Sequence, residues 1–132
     1  MPQVDTVLVV EDNEQNLELV EFLLEEAGLT VRKAMDVEAA RLEMKQEFPG
    51  LVLMDMDLPG ADGLTLVAEF RALPGAGTVP IVALTAHAMR GDRERFIQGG
   101  CDGYIAKPID VARFIPEVKD YIARGRRPGG AS

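Results

Sequence analysis

The stretch Leu51-Val52-Leu53-Met54-Asp55-Met56-Asp57 decides the fold. Four consecutive apolar residues run directly into a carboxylate with no polar alternation. A strand with one wet face would alternate, whereas a continuous apolar run fits a strand buried on both faces of a parallel sheet. Val7-Leu8-Val9-Val10 and Ile81-Val82-Ala83-Leu84 repeat the pattern, and Thr30-Val31 and Tyr104-Ile105-Ala106 are shorter runs of the same kind.

Helix-period stretches separate these runs. Leu17, Val20, Leu24 and Ala27 fall on one face, with Glu18, Glu21 and Glu25 elsewhere and Gly28 as the stop. Asp36 can cap a second helix containing Ala39, Ala40 and Leu42, which stops before Pro49-Gly50. A third runs from about Gly63 to Leu73, and a fourth from about Asp92 to Gly99-Gly100. The fifth places Val111, Ile115, Val118 and Ile122 on one face. Pro116 leaves its course open: either Asp110 caps a helix with proline inside it, or a short turn precedes a helix starting near Ile115. Five strands alternating with five helices predict an α/β doubly wound sheet with right-handed crossovers.

The chain has 132 residues, enough for one domain with a real core. We expect that domain over residues 1–124, followed by a disordered tail at 125–132, where Arg126 and Arg127 sit among Gly, Pro and Ser. The net charge of −8 disfavours nucleic acid, whose nonspecific binding comes from Lys and Arg. No apolar run approaches the roughly 20 residues of a membrane span. The first residues carry neither a basic start nor an apolar stretch, so no secretory signal is predicted. Cys101 is the sole cysteine, which points to a packing role and a cytoplasmic location.

The polar residues that end the strands carry the chemistry. Glu11-Asp12 follow the first run, Asp55 the third, Thr85 the fourth and Lys107 the fifth. Ligands of open α/β sheets bind at the carboxyl ends of the strands, so three carboxylates, a hydroxyl and an ammonium share one edge. Each alone has a bland reading as a loop, cap or surface charge; their coincidence does not. Carboxylates about 4 Å apart repel by about 4 kcal/mol at an effective dielectric of 20, so a divalent cation is wanted. The oxygen ligand set suits Mg²⁺ or Mn²⁺ and not zinc. Lys107 and Thr85 would serve phosphoryl oxygens, and a carboxylate there can accept a phosphoryl group.

Val9-Val10-Glu11-Asp12-Asn13, Met54-Asp55-Met56-Asp57-Leu58-Pro59 with Gly63, Leu84-Thr85-Ala86 and Gly103-Tyr104-Ile105-Ala106-Lys107-Pro108 together resemble the receiver domain of two-component response regulators, of the stand-alone type. The resemblance spans Thr6 to about Ile122. It implies the flavodoxin-like, CheY-like strand order 2-1-3-4-5. It implies Asp55 as acceptor from a phosphohistidine of a histidine kinase or histidine phosphotransfer protein. Asp12, Asp55 and the Asp57 backbone carbonyl would ligate Mg²⁺, with Glu11 acting through water. Thr85 and Lys107 would contact the phosphoryl group, and Tyr104 would turn inward as Thr85 moves. The surface of the fourth helix, fifth strand and fifth helix would bind a downstream protein. Lys107-Pro108 resembles the family's cis junction. Asp57 and His87 border the phosphoryl group in the family, and His87 reads here as a rim residue. Asn13 and Asn16 resemble receivers of single-domain regulators and hybrid kinases.

Two rivals are weighed. A haloacid-dehalogenase phosphatase also uses a DxD nucleophile, as in Asp55-Met56-Asp57, but places it after its first strand and has a further acidic pair after the lysine. A receiver fragment of a larger regulator or hybrid kinase would have further domains beyond this sequence. On the receiver reading the chain is a switch and not an enzyme, catalysing only its own phosphotransfer and dephosphorylation.

Overall fold

Alternate residues of a strand point to opposite faces, and here both faces are covered. A computed structural model describes residues 3–60, 62–86 and 90–125. The elements are β1 (Gln3–Val10), α1 (Glu14–Glu26), β2 (Thr30–Ala34), α2 (Val37–Gln46), β3 (Pro49–Asp55), α3 (Gly63–Ala72), β4 (Ile81–Thr85), α4 (Arg90–Gln98), β5 (Gly103–Ala106) and α5 (Val111–Arg124), with a 3-10 turn at Ala76–Thr78. All strand pairs are parallel, and the order is β2-β1-β3-β4-β5, the doubly wound flavodoxin-like arrangement expected.

The apolar runs divide by parity. Val7, Val9, Leu51, Leu53, Val82, Leu84 and Ile105 pack with Leu17, Val20 and Leu24 of α1 and Phe114 and Val118 of α5. Leu8, Val10, Val52, Met54, Ile81 and Ala83 pack on the other side with Ala40, Met44, Leu66, Val67, Phe70 and Phe96 of α2, α3 and α4. Each such side chain stabilises the fold by about 1.5–3 kcal/mol when fully buried. This is why the runs tolerate no polar residue until they reach the sheet edge.

The helix starts follow from their caps. Asn13 accepts from the Asn16 N–H at 2.9 Å, Asp36 from Ala39 at 2.8 Å, Asp62 from Leu64 at 3.0 Å and Asp110 from Ala112 at 3.1 Å. The left-handed residue Gly28, at φ 85°, follows α1. Lys107-Pro108 is cis. Arg71 closes the far end of the sheet by donating to the Gly100 and Val79 carbonyls and to Asp102, which also accepts from the Ile81 N–H. Gly103 is a packing requirement, because a Cβ there would lie 2.0 Å from the Tyr121 hydroxyl oxygen.

The helices add detail to the sequence reading and correct it in places. Leu42 is 62% exposed, because the core stripe of α2 runs through Ala40 and Met44 and Leu42 lies two residues, about 200°, round the helix. Val111 is 57% exposed; α5 begins beyond the carboxyl edge of the sheet, so its core contacts start at Phe114. α5 is continuous from the Asp110 cap with Pro116 inside it. The proline ring lies on the exposed face, where water can take the Ala112 carbonyl that loses its i+4 donor. α4 begins at Arg90, two residues earlier than expected. The expected tail lies, from residue 126 on, outside the described residues.

Candidate functional site

Strand parity brings the charged residues to one side of the carboxyl edge. Asp55 continues the alternation of Leu51 and Leu53. Glu11 and Lys107 continue that of Val9 and Ile105, and sheet hydrogen bonding extends to both: Glu11 N–H donates to the Ala34 carbonyl at 3.0 Å and Lys107 N–H to the Thr85 carbonyl at 2.8 Å. All three therefore belong to the α1/α5 face. Glu11 and Asp55 are each 1% exposed, and Asp12 is half-buried.

The Lys107 ammonium bridges two carboxylates. It donates to Asp55 Oδ1 at 2.9 Å and lies 3.1 Å from Glu11 Oε2 and 3.4 Å from Glu11 Oε1. Asp55 Oδ1 also accepts from the Asp57 N–H at 2.8 Å. Glu11 Oε1 accepts from Asn16 Nδ2 at 3.1 Å. Burial raises the Asp55 carboxyl above the ordinary range and Glu11 adds to this, against the lowering by Lys107 and the Asp57 N–H. Burial would lower Lys107, but the Asp55 and Glu11 carboxylates outweigh it and hold the ammonium above its usual value.

One oxygen each of Glu11, Asp12 and Asp55 lie within 4.8 Å of one another. At that separation two carboxylates repel by about 3.5 kcal/mol at an effective dielectric of 20. A single ammonium cannot balance three of them. Glu11 Oε2, moreover, is a buried oxygen with no hydrogen-bond partner among the described residues, its contact with Lys107 lacking hydrogen-bond alignment. A compact hard cation fits this donor set, and its bound water would supply what the buried oxygen lacks.

The remaining predicted residues sit around this cluster. Thr85 is fully buried and joined to Lys107 through its carbonyl. Its parity is that of Ile81 and Ala83, so its side chain belongs to the α3/α4 face and not to the face of Asp55. The Asp57 carboxylate is exposed and accepts from the Ala86 N–H at 3.1 Å, tying the loop after β3 to the loop after β4. Tyr104 is half-buried on β5, with the Arg93 guanidinium 5.9 Å from its ring centre. His87 lies outside the described residues. The sequence reading gave Asn16 no role at the site; the signal was available in Asn13-x-x-Asn16, where the cap fixes the first turn of α1 beside Glu11.

Comparisons with known proteins identify the family. The family model described as response regulator receiver domain matches residues 7–119. The polar-differentiation response regulator DivK of Brucella ovis is 42% identical over 118 residues, which cover 89% of this chain and 95% of that protein. The receiver domain of a sensor histidine kinase from Pseudomonas aeruginosa, solved with a magnesium ion coordinated in its active-site cleft, is 35% identical with a TM-score of 0.81, over 93% of this chain and 99% of that one. A CheY-like receiver from Methanospirillum hungatei has a TM-score of 0.81 at 23% identity, over 94% and 96% of the two chains, and bears on the fold alone. The DxD of the rival phosphatase reading follows β3 here, and not the first strand where that reading needs it. This chain belongs to the response regulator receiver domains.

Proposed function

We propose that the protein is a phosphorylation switch in which Asp55 takes a phosphoryl group from the phosphohistidine of a histidine kinase or histidine phosphotransfer protein. The observation that carries this reading is a buried carboxylate held from two sides, by the Lys107 ammonium at 2.9 Å and the Asp57 N–H at 2.8 Å, inside a cluster of like charge. An Asp55 oxygen attacks phosphorus, the P–O bond forms as the P–N bond breaks, and the departing imidazole leaves as a neutral ring once protonated. Both grips on Asp55 fall on Oδ1, which leaves Oδ2 as the nucleophile. Lys107 sits beside it to neutralise charge on the phosphoryl oxygens, at a site where fixed charge is worth more than in water.

Mg²⁺, or Mn²⁺, would be held by Asp12, Asp55 and the Asp57 carbonyl, with Glu11 behind a water. When bound it supplies charge neutralisation for the transferred group. Thr85 would contact the phosphoryl group from the β4 loop and Tyr104 would follow it. Because Thr85 starts on the opposite face, that contact needs the β4 loop to move, which suits a switch. The α4–β5–α5 surface would then bind a downstream protein. Catalysis is confined to the chain's own phosphorylation and dephosphorylation. The receiver reading over residues 1–124 accords with the family match at residues 7–119. No described helix is long and apolar enough to cross a membrane, which accords with the cytoplasmic location we propose.

Acetyl phosphate with Mg²⁺ is expected to add one phosphoryl mass, labile to base, read by intact mass spectrometry. Asp55→Asn removes it. Labelling that persists in Asp55→Asn would place the acceptor elsewhere and refute the assignment.

A further inference from the structure

The first turn of α1 contains a polar side chain that the phosphorylation chemistry does not use. Asn16 is half-buried at the third helical position, and asparagine has low helix propensity. Its backbone N–H is held by the Asn13 cap at 2.9 Å, while its side-chain amide turns back past the cap to Glu11 Oε1 at 3.1 Å. A polar residue at this helical position ordinarily reaches back to the cap residue's own backbone. Here it reaches a carboxylate two residues further back.

The consequence is an asymmetric carboxylate. Glu11 Oε1 takes the amide at 3.1 Å and a longer bond from Lys107 at 3.4 Å, while Oε2, buried and 3.1 Å from that ammonium, has no hydrogen-bond partner among the described residues. Lys107 already lies near both Glu11 oxygens, at 3.1 and 3.4 Å, and without the amide Glu11 would be free to close on it further, competing with Asp55 for that ammonium. We propose that Asn16 is a positioning residue: it holds Glu11 by Oε1 so that Oε2 faces the divalent cation and Lys107 remains with Asp55. This rests on the reading of the acidic cluster as a cation site.

Mn²⁺ binding, followed by loss of the free-ion electron paramagnetic resonance signal, with Mg²⁺ measured by competition, tests this without any phosphotransfer. Partners of direct metal ligands typically contribute about 10–100-fold in affinity; Asn16 acts through Glu11, itself behind a water, so Asn16→Leu is expected to weaken both ions by about tenfold, the low end of that range. Asn16→Ala carries the same test if Asn16→Leu does not fold. In a Glu11→Gln background the Asn16 substitution is expected to change affinity less than about twofold, the additivity limit for a residue that acts through the one already removed. A merely structural Asn16 would lower the melting temperature and leave the dissociation constants unchanged, which overturns the proposal. So would an undiminished loss in the Glu11→Gln background. Wild-type protein that binds neither ion overturns the cation-site reading itself, a result distinct from either of these.

Discussion

At the scale of single residues, environment decides chemistry more than identity does. Cys101 and Asp55 are both buried titratable groups, yet only Asp55 has donors aimed at it. Cys101 is 4% exposed, and burial pushes its thiol up to about 12, with Asp102 adding to this and Arg71 opposing it. Its place in the α3/α4 core fits the packing role read from the lone cysteine. In the folded protein, iodoacetamide at pH 8.5 is expected to leave Cys101 unmodified, while unfolding in urea exposes it to full alkylation. The folded pKa lies above the unfolded value of about 8.5, so the folded state binds more protons between the two. The thiol's contribution is fully present below the unfolded pKa and is lost as pH rises toward 12, by up to about 1.4 kcal/mol per pH unit. Denaturant midpoints measured from pH 8 to 10 are expected to fall, less steeply for Cys101→Ala. Lys107 and Tyr121, also raised, erode stability in the same direction but at higher pH. Equal slopes in wild type and Cys101→Ala would contradict the buried thiol.

At the scale of elements, the sequence was legible wherever one physical cause dominated. Val7–Val10, Leu51–Met54 and Ile81–Leu84 are buried on both faces, so composition alone located them, and the charged residues at their ends located the site. α2 and α5 were harder because helical register rests on which residues meet the sheet. Val111 was placed on the apolar face of α5 and is exposed, whereas Met44 and Phe114, which were not singled out, are buried. Asn16 escaped for a different reason: its partner Glu11 lies outside the helix, and only the Asn13 cap brings the two together. Pro116 could not be placed from sequence, since the cost of an interior proline competes with the Asp110 cap and with the burial of Phe114. The structure shows that capping and burial win. The proline is exposed and costs α5 a hydrogen bond, so Pro116→Ala is expected to stabilise the protein. The full helix-interior penalty is about 3 kcal/mol; hydration of the Ala112 carbonyl reduces the gain to about 1–2. Chemical denaturation measures it, and a loss of stability would mean that the proline shapes α5 usefully.

At the scale of the whole molecule, the carboxyl edge of the sheet gathers Glu11, Asp12, Asp55 and Lys107. Thr85 is joined to Lys107 through the backbone and Ala86 to Asp57 through a side chain, so the β4 loop already touches both neighbours of Asp55. A beryllofluoride mimic is expected to shift the amide resonances of Thr85, Ala86, Tyr104 and α5 more than those of α2, and changes confined to the Asp55 loop would refute this coupling. The same edge sets the response to metal. Glu11, Asp12 and Asp55 repel one another within 4.8 Å, and a single ammonium offsets only part of that charge. Folding therefore assembles a cluster that the unfolded chain lacks, and a cation binding there binds the native state preferentially. At ten times its dissociation constant, Mg²⁺ is expected to stabilise the protein by about 1.4 kcal/mol. For a domain of about this size that shifts the melting temperature by roughly 3–8 °C. Asp12→Ala removes a ligand and a repelling charge together, so the Mg²⁺ increment should largely vanish while metal-free stability holds or rises. The opposite pairing, an intact increment with a destabilised apo protein, would make Asp12 a structural residue and leave Glu11 and Asp55 to hold the ion without it.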